Sequence, residues 1–157
     1  MANRTAGSKA RALEAGISIG ASSVNELRIL LIEDDFMNRR VMKDMLAVAG
    51  LTVVEAASGM DGLRLFEQES YDLLLLDLRM PVIDGFQVMR SIRNRNDAKA
   101  TTPIIVVSGE GGPRLRSDCL GAGANDLITK PIAMDALFAS VALVLVETAQ
   151  PDNVIFG

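Results

Sequence analysis

The sequence of 157 residues contains no histidine, no tryptophan and a single cysteine, Cys119. The absence of histidine excludes Ser-His-Asp and Cys-His catalysis, zinc sites with histidine ligands, and a phosphohistidine donor. A lone cysteine cannot form an internal disulfide, which is typical of a protein from a reducing compartment. Because Cys119 lies in an apolar helical pattern, we interpret it as a small buried thiol rather than a nucleophile.

Long apolar runs and an excess of positive charge are also missing. The longest uncharged apolar stretch, residues 136–146, is much shorter than the roughly 20 residues that a membrane span needs. Residues 1–25 carry basic side chains but lack the apolar core of a secretory signal. The net charge of −4 argues against nucleic-acid binding, and we interpret Arg90, Arg93 and Arg95 as a solvated helix end. We therefore expect a soluble, cytoplasmic protein that binds neither nucleic acid nor a membrane.

The chain is 49% hydrophobic, which is typical of a globular domain with a full core. Short apolar runs alternate with stretches of helical periodicity, and this alternation predicts five strand–helix units. The predicted strands cover 27–32, 52–56, 72–76, 103–107 and 125–129, and the predicted helices cover 37–49, 59–69, 85–94, 113–121 and 133–148. Uncharged strands of this kind favour a parallel sheet between helices. The predicted fold is a doubly wound (βα)5 α/β domain, a five-stranded parallel sheet with helices on both faces, over residues 26–148.

Two tails flank the predicted domain. Residues 1–25 are rich in Ala, Gly and Ser and are interpreted as an N-terminal tail. Their apolar residues at helical spacing are compatible with a short helix, although an isolated helix of this length is marginal in water; they are Ala6, Ala10, Leu13 and Ile17. Residues 149–157 are interpreted as a C-terminal tail.

The last predicted helix is unusually apolar. Leu143 and Val146 lie on the side opposite Leu137, Val141 and Leu145, whereas a helix that covers one face of a sheet needs a single apolar stripe. Two interpretations remain open. The second stripe is buried by the C-terminal tail, through residues 154–156, or it is a surface for a homodimer or another partner.

Polar side chains follow the apolar runs at the point where each predicted strand ends. Residues 33–35 are Glu-Asp-Asp, Asp77 follows the run 72–76, Ser108 follows the run 104–107, and Lys130 follows the run 127–129. Parallel strands share one carboxyl edge, where ligands bind, so we expect Glu33, Asp34 and Asp77, a hydroxyl and an amine to converge there. This combination is typical of a site for a divalent cation and a phosphoryl group. Asp35 is interpreted instead as a solvated loop residue or helix cap.

Three local strings carry a resemblance to a known family: Leu-Leu-Ile-Glu-Asp-Asp (30–35), Asp-Leu-Arg-Met-Pro-Val-Ile-Asp-Gly (77–85) and Gly-Ala-Asn-Asp-Leu-Ile-Thr-Lys-Pro (123–131). In this order and at strand ends, they resemble the receiver domain of two-component response regulators. The resemblance covers residues 27–148 and implies the flavodoxin-like receiver fold.

The resemblance also implies a role for each residue at the strand ends. Magnesium prefers oxygen ligands, so Asp34 and Asp77 are expected to ligate Mg²⁺ directly and Glu33 to act through a bound water. The family likeness adds the backbone carbonyl of Arg79 as a further metal ligand. Asp77 is the expected phosphoacceptor, Lys130 is expected to neutralise the phosphoryl oxygens, and Ser108 to donate its hydroxyl to one of them. The Lys130–Pro131 bond resembles the family's cis peptide.

By this likeness the chain is a stand-alone phosphoacceptor, and not an enzyme that turns over external substrates. The expected donor is a histidine kinase or a histidine phosphotransfer protein, docking on the first helix at Asn38, Val41, Met42 and Met45. Output is then expected through contacts with an unknown downstream protein. The alternatives are a phosphorylation-independent scaffold with the same fold and a receiver segment of a hybrid kinase.

Two departures from the family pattern concern the surroundings of the phosphoryl group. Leu127 stands where family members often carry an aromatic residue, so we expect the glycine-rich loop at 109–112 to carry more of any conformational switch. Arg79 and Glu110 lie two residues beyond Asp77 and Ser108. We hypothesise that these two side chains form an ion pair that covers the acyl phosphate and slows attack by water.

Overall fold

The computed structural model describes residues 27–149, in which strands and α-helices alternate. The strands are β1 (Arg28–Ile32), β2 (Thr52–Ala56), β3 (Leu73–Asp77), β4 (Ile104–Ser108) and β5 (Asp126–Thr129). The helices are α1 (Phe36–Val48), α2 (Gly59–Gln68), α3 (Gly85–Arg93), α4 (Pro113–Gly121) and α5 (Met134–Ala149). Each predicted element is present, with its ends shifted by at most one residue. Both predicted tails, including the N-terminal helix, lie outside the described residues.

All five strands are parallel, in the order β2-β1-β3-β4-β5. The register pairs Ile32 with Leu76, Asp77 with Val107, and Ser108 with Thr129. The residues that end each strand therefore lie side by side along one edge. This topology confirms the predicted doubly wound fold.

The core lies in two layers, one on each face of the sheet. Alternate strand residues pack on one side against α1 and α5, through Met42, Leu46, Leu137 and Val141. The other strand residues pack against α2, α3 and α4, and here Cys119 is completely buried, as expected. With both faces covered, only the ends of the strands are left for chemistry.

Local signals set where the helices begin. Asp35, Ser58 and Asp84 cap α1, α2 and α3 by accepting a hydrogen bond from the backbone N–H three residues on. Pro113 opens α4, in the first turn, where its missing N–H leaves no helical hydrogen bond unmade. The interpretation of Asp35 as a helix cap is therefore confirmed.

The last helix keeps an exposed apolar side. Leu137 and Val141 are fully buried, whereas Leu143 is 55% exposed and Val146 is half-buried. Residues 154–156, which one interpretation places over this side, lie outside the described residues, so neither interpretation is decided. Within residues 27–149, no helix is both long and apolar enough to cross a membrane.

The cluster of Arg90, Arg93 and Arg95 is not uniformly solvated. Arg90 is exposed, but the half-buried Arg93 guanidinium donates to the carbonyls of Ala100, Thr102 and Gly123 at 2.7–3.0 Å. The expectation of a solvated helix end is thus wrong for Arg93. Its guanidinium ties α3 to a short 3-10 turn (Ala98–Thr101), which the sequence patterns did not predict, and to the loop before β5.

We expect Arg93→Met to lower the free energy of unfolding by about 2 kcal/mol, because it leaves three partly buried carbonyls without their donor. Arg90→Met is the matched control, with the same change on the exposed side of the same helix. Urea denaturation of both variants tests this. Equal stabilities for the two variants would mean that water replaces the Arg93 contacts without cost.

Candidate functional site

Four strands deliver the polar residues to one edge of the sheet. Glu33 and Asp34 follow β1, Asp77 ends β3, Ser108 ends β4, and Lys130 follows β5. Three backbone hydrogen bonds extend the sheet just past the strand ends: the N–H groups of Glu33, Leu78 and Lys130 donate to the carbonyls of Ala56, Val107 and Ser108. The residues predicted from strand ends therefore lie at one edge in space, although they are up to 97 positions apart in the chain.

The three acidic side chains form one cluster. Carboxylate oxygens of Glu33, Asp34 and Asp77 all lie within 4.8 Å of one another. Glu33 is fully buried and Asp77 is 4% exposed, whereas Asp34 is exposed to solvent. Three carboxylates at this spacing repel each other strongly unless positive charge lies between them.

Lys130 supplies positive charge to this cluster. Its Nζ lies 2.8 Å from Glu33 Oε1 and 3.3 Å from Asp77 Oδ1, so the predicted convergence of amine and acids is observed. These two carboxylates outweigh the effect of burial and raise the pKa of Lys130 above its usual value. Lys130 therefore carries a full charge at neutral pH. The Lys130–Pro131 bond is cis, as the resemblance implied.

Asp77 is the acid whose ionisation is most perturbed. Burial, reinforced by the adjacent Glu33 carboxyl, raises the pKa of Asp77 to about 7, although Lys130 opposes the shift. A bound cation favours the ionised carboxylate and would act in the opposite direction. The charge state of Asp77 near neutral pH is thus set by the occupancy of the cluster.

A cavity of about 310 Å³ opens above the cluster. Its lining joins the acids and Lys130 to side chains of the neighbouring loops: Glu33, Asp34, Asp35, Asn38, Asp77, Arg79, Gly109, Glu110 and Lys130. Ser108 is not among these residues; its buried Oγ accepts a hydrogen bond from the backbone N–H of Glu110 at 3.0 Å. The role of the Arg79 carbonyl as a metal ligand stays a prediction.

Arg79 and Glu110 form the predicted ion pair at the mouth of the cavity. Arg79 Nη2 lies 2.7 Å from Glu110 Oε2, and both side chains are more than half exposed. Leu127, at the position of the family's aromatic residue, is half-buried and packs against the core layer under α3 and α4. The pairing is confirmed, and its effect on the phosphoryl group stays a prediction.

Two residues that support the cluster were not identified from the sequence. A Cβ on Gly85 would lie 2.7 Å from the Asp77 carbonyl oxygen, so only glycine fits where α3 begins beside β3. Arg39 Nη1 donates to the Glu33 carbonyl at 2.8 Å. In the sequence, the Asp84-Gly85 pair indicates only a turn and a helix start, and Arg39 is one of several charged residues on a predicted helix surface.

The match to a protein-family model decides the family. The model for the response regulator receiver domain matches residues 29–142. The chain belongs to this receiver-domain family. The match includes β1 from Ile29 onward, the other four strands, and the four acidic and basic residues at the strand ends.

Individual relatives are of more than one kind. The chain is 36% identical over 115 residues to the cell cycle response regulator CtrA of Brucella ovis, covering 73% of this chain and 48% of CtrA. It is 34% identical over 118 residues to hybrid signal transduction histidine kinase G of Dictyostelium discoideum, covering 74% of this chain and 3% of the kinase. The chain thus spans about half or less of the length of these relatives.

Solved receiver structures share the fold of this receiver domain. The receiver domain of a sensor histidine kinase from Pseudomonas aeruginosa PAO1, with a magnesium ion coordinated in its active-site cleft, superimposes with a TM-score of 0.70 at 33% identity. That superposition covers 76% of this chain and 98% of the other. Receiver domains with the same architecture therefore occur in sensor kinases as well as in regulators.

We expect the stability of the metal-free receiver to fall as the pH rises from about 4 to about 7. In this window the raised pKa of Asp77 makes the folded state hold a proton that the unfolded state has released. Over this pH range, the free energy of unfolding of the wild type, measured relative to that of Asp77→Asn at the same pH, should decrease by on the order of 2–4 kcal/mol. Urea denaturation with a metal chelator at several pH values measures this difference. A difference that does not vary with pH would show that Asp77 is ionised throughout.

Proposed function

We propose that this receiver accepts a phosphoryl group on Asp77 in a Mg²⁺-dependent reaction, with a phosphohistidine of a histidine kinase or phosphotransfer protein as donor. The observation that supports this most directly is the clustering of Glu33, Asp34 and Asp77 within 4.8 Å, with Lys130 Nζ at 3.3 Å from Asp77. The chain then acts as a phosphoacceptor and not as an enzyme with external substrates.

The donor set of the cluster fits magnesium. All three acidic residues offer oxygen, and the exposed side of Asp34 leaves room for the water ligands that Mg²⁺ retains. Asp34 and Asp77 would hold the ion directly. Glu33 would act through water because both of its oxygens already accept a hydrogen bond, Oε1 from Lys130 and Oε2 from the Asp35 N–H. On Asp77, Lys130 and the Arg79 N–H both contact Oδ1. When bound, the ion supplies positive charge to the phosphoryl oxygens during transfer.

In the proposed transfer an Asp77 carboxylate oxygen attacks phosphorus and forms an O–P bond. The P–N bond to the donor imidazole breaks at the same time, and its electron pair stays on nitrogen. Lys130 Nζ, held beside Asp77, is placed to pair with a phosphoryl oxygen. Because Ser108 Oγ accepts from the Glu110 N–H, its own proton is free to be donated to another phosphoryl oxygen.

The donor is proposed to dock on α1 and the segment after β5. A groove of about 200 Å³ lies there, lined by Asn38, Val41, Met42, Lys130, Pro131 and Ile132. Asn38 and Lys130 also line the acidic cavity, so a partner in the groove reaches the phosphoacceptor. Of the predicted contact residues, Val41 is 45% exposed, whereas Met42 is 1% exposed and belongs to the core, although it lines this groove. The contacts of the donor with these residues stay a prediction.

Output is proposed to pass through phosphorylation-dependent protein contacts. The loop 109–112 lines part of the cavity and begins directly after Ser108, so a hydrogen bond from Ser108 to the phosphoryl group would pull on it. A Cβ on Gly109 would meet no atom within 4 Å, so open space surrounds the start of this loop.

Incubation with acetyl phosphate tests the proposed reaction. We expect a mass gain of one phosphoryl group that requires Mg²⁺, is blocked by a chelator and is abolished in Asp77→Asn. Asp44→Asn is the matched control, because it removes the same charge from an exposed position on α1. Modification without a divalent cation, or undiminished modification of Asp77→Asn, would contradict the proposal. An unmodified wild type would favour the phosphorylation-independent scaffold.

The ion pair of Arg79 and Glu110 is proposed to shield the aspartyl phosphate from water. An exposed pair contributes about 0.2–1 kcal/mol. Replacing both residues with Ala should therefore speed dephosphorylation by at most about fivefold. The half-life of the phosphorylated protein after removal of the donor measures this. The double variant Arg40→Ala/Asp44→Ala, which loses another exposed pair, is the control; equal half-lives would remove the shielding role.

A further inference from the structure

Arg39 is held unusually firmly for a basic residue on a helix surface. Its side chain is 15% exposed, and its Nη1 donates to the backbone carbonyl of Glu33 at 2.8 Å. Its Nε lies 3.3 Å from Glu55 Oε1 on β2, and the guanidinium carbon lies 5.6 Å from the centre of the Phe36 ring. Three groups from three different segments thus fix the position of this guanidinium.

These contacts hold the backbone that carries the acidic cluster. The Glu33 N–H donates to the Ala56 carbonyl at 3.1 Å, and the Glu33 carbonyl accepts from Arg39. Both backbone polar atoms of Glu33 are therefore engaged, and the second contact lies on the bond that leads to Asp34. The position of the exposed Asp34 carboxylate in the cluster therefore depends on the position of this backbone.

The cluster needs such support because its members repel each other. Three carboxylates within 4.8 Å favour an opening of the loop 33–35 away from Asp77. Asp35 holds the helical side of the loop by capping α1. Arg39 holds the strand side, since its donation to the Glu33 carbonyl resists displacement of the next residue.

We propose that Arg39 is a positioning residue for the magnesium site: it holds Glu33 and Asp34 in the geometry that binds the cation. This inference rests on the proposed function of the acidic cluster. Arg39 does not touch the transferred group. It acts on the cation through the backbone, as outer hydrogen-bond partners do in other metal sites, where their loss typically weakens binding about 10- to 100-fold.

The sign of the effect separates positioning from simple electrostatics. A guanidinium beside a cation site repels the cation, so removal of its charge alone would strengthen Mg²⁺ binding. Removal of a positioning contact weakens Mg²⁺ binding instead. The two explanations therefore predict opposite changes for the same substitution.

The surroundings of Arg39 limit the side effects of its substitution. Lys43 Nζ also pairs with Glu55, at 2.9 Å, so loss of Arg39 leaves no isolated carboxylate on β2. Arg40, the next residue on α1, is 62% exposed on its side chain and pairs only with Asp44 in the described residues. Arg40→Met is thus a matched control for the loss of one positive charge.

The test is a calorimetric Mg²⁺ titration of the full chain, with no phosphodonor present. We expect Arg39→Met to bind Mg²⁺ about tenfold more weakly than the wild type. Arg39→Lys keeps the charge, but its single ammonium group cannot contact the Glu33 carbonyl and the Glu55 carboxylate together as the guanidinium does. Its affinity for Mg²⁺ should lie between those of the wild type and Arg39→Met. Arg40→Met should bind as the wild type or slightly more tightly. Thermal unfolding without metal checks that each variant is folded.

Phe36→Leu is a second, milder variant for the case that Arg39→Met does not fold. It removes the ring that lies 5.6 Å from the Arg39 guanidinium carbon and changes no charge, so we expect Mg²⁺ binding to weaken about two- to threefold. Unchanged Mg²⁺ binding by folded Phe36→Leu, where Arg39→Met does not fold, would overturn the positioning role. Equal or tighter binding by folded Arg39→Met, with a wild type that binds Mg²⁺, would overturn the positioning role alone. A wild type that binds no Mg²⁺ would overturn the proposed function as well.

Discussion

The site depends on buried carboxylates that are held together against their mutual repulsion. Glu33 and Asp77 have almost no contact with solvent, and Lys130 Nζ touches both. Asp77 loses hydration on burial, and the adjacent Glu33 carboxyl raises the cost of ionising it further. Lys130 offsets part of this cost, and the high pKa of Asp77 shows that a part remains. A cation that enters the cluster relieves this remaining cost, so the same strain that costs stability favours metal binding.

The fold can sustain this strain because the sheet below it is rigid and apolar. Residues on both faces of β1, β3 and β4 are buried, and the two layers of helices leave the strands little freedom to move. The acidic residues therefore cannot separate by sliding of strands. They can separate only through the loops that follow the strands, which is where the caps and Arg39 act.

Most of the fold could be predicted, since strand and helix periodicities and the capping residues are local. Asp35, Ser58 and Asp84 each cap the predicted helix that begins just after them. What the sequence did not predict concerns side chains whose surroundings come from distant segments. Met42 follows Val41 directly on the same predicted helix, yet Met42 is almost completely buried whereas Val41 is 45% exposed. Arg93 resembles its neighbour Arg90 in sequence, yet the 3-10 turn and the loop before β5 surround it with carbonyls.

Hydrophobic periodicity and residue type are properties of short segments, so the five strand–helix units and the chemical groups at the strand ends follow from local patterns. The distances within the cluster, the pairing of Lys130 with both carboxylates, the pKa of Asp77 and the contact of Arg39 with the Glu33 carbonyl arise only when the chain folds. These depend on burial and on separations of a few ångströms between segments far apart in the chain. Such electrostatic terms change steeply with distance and with exclusion of water, and neither is set by a local pattern.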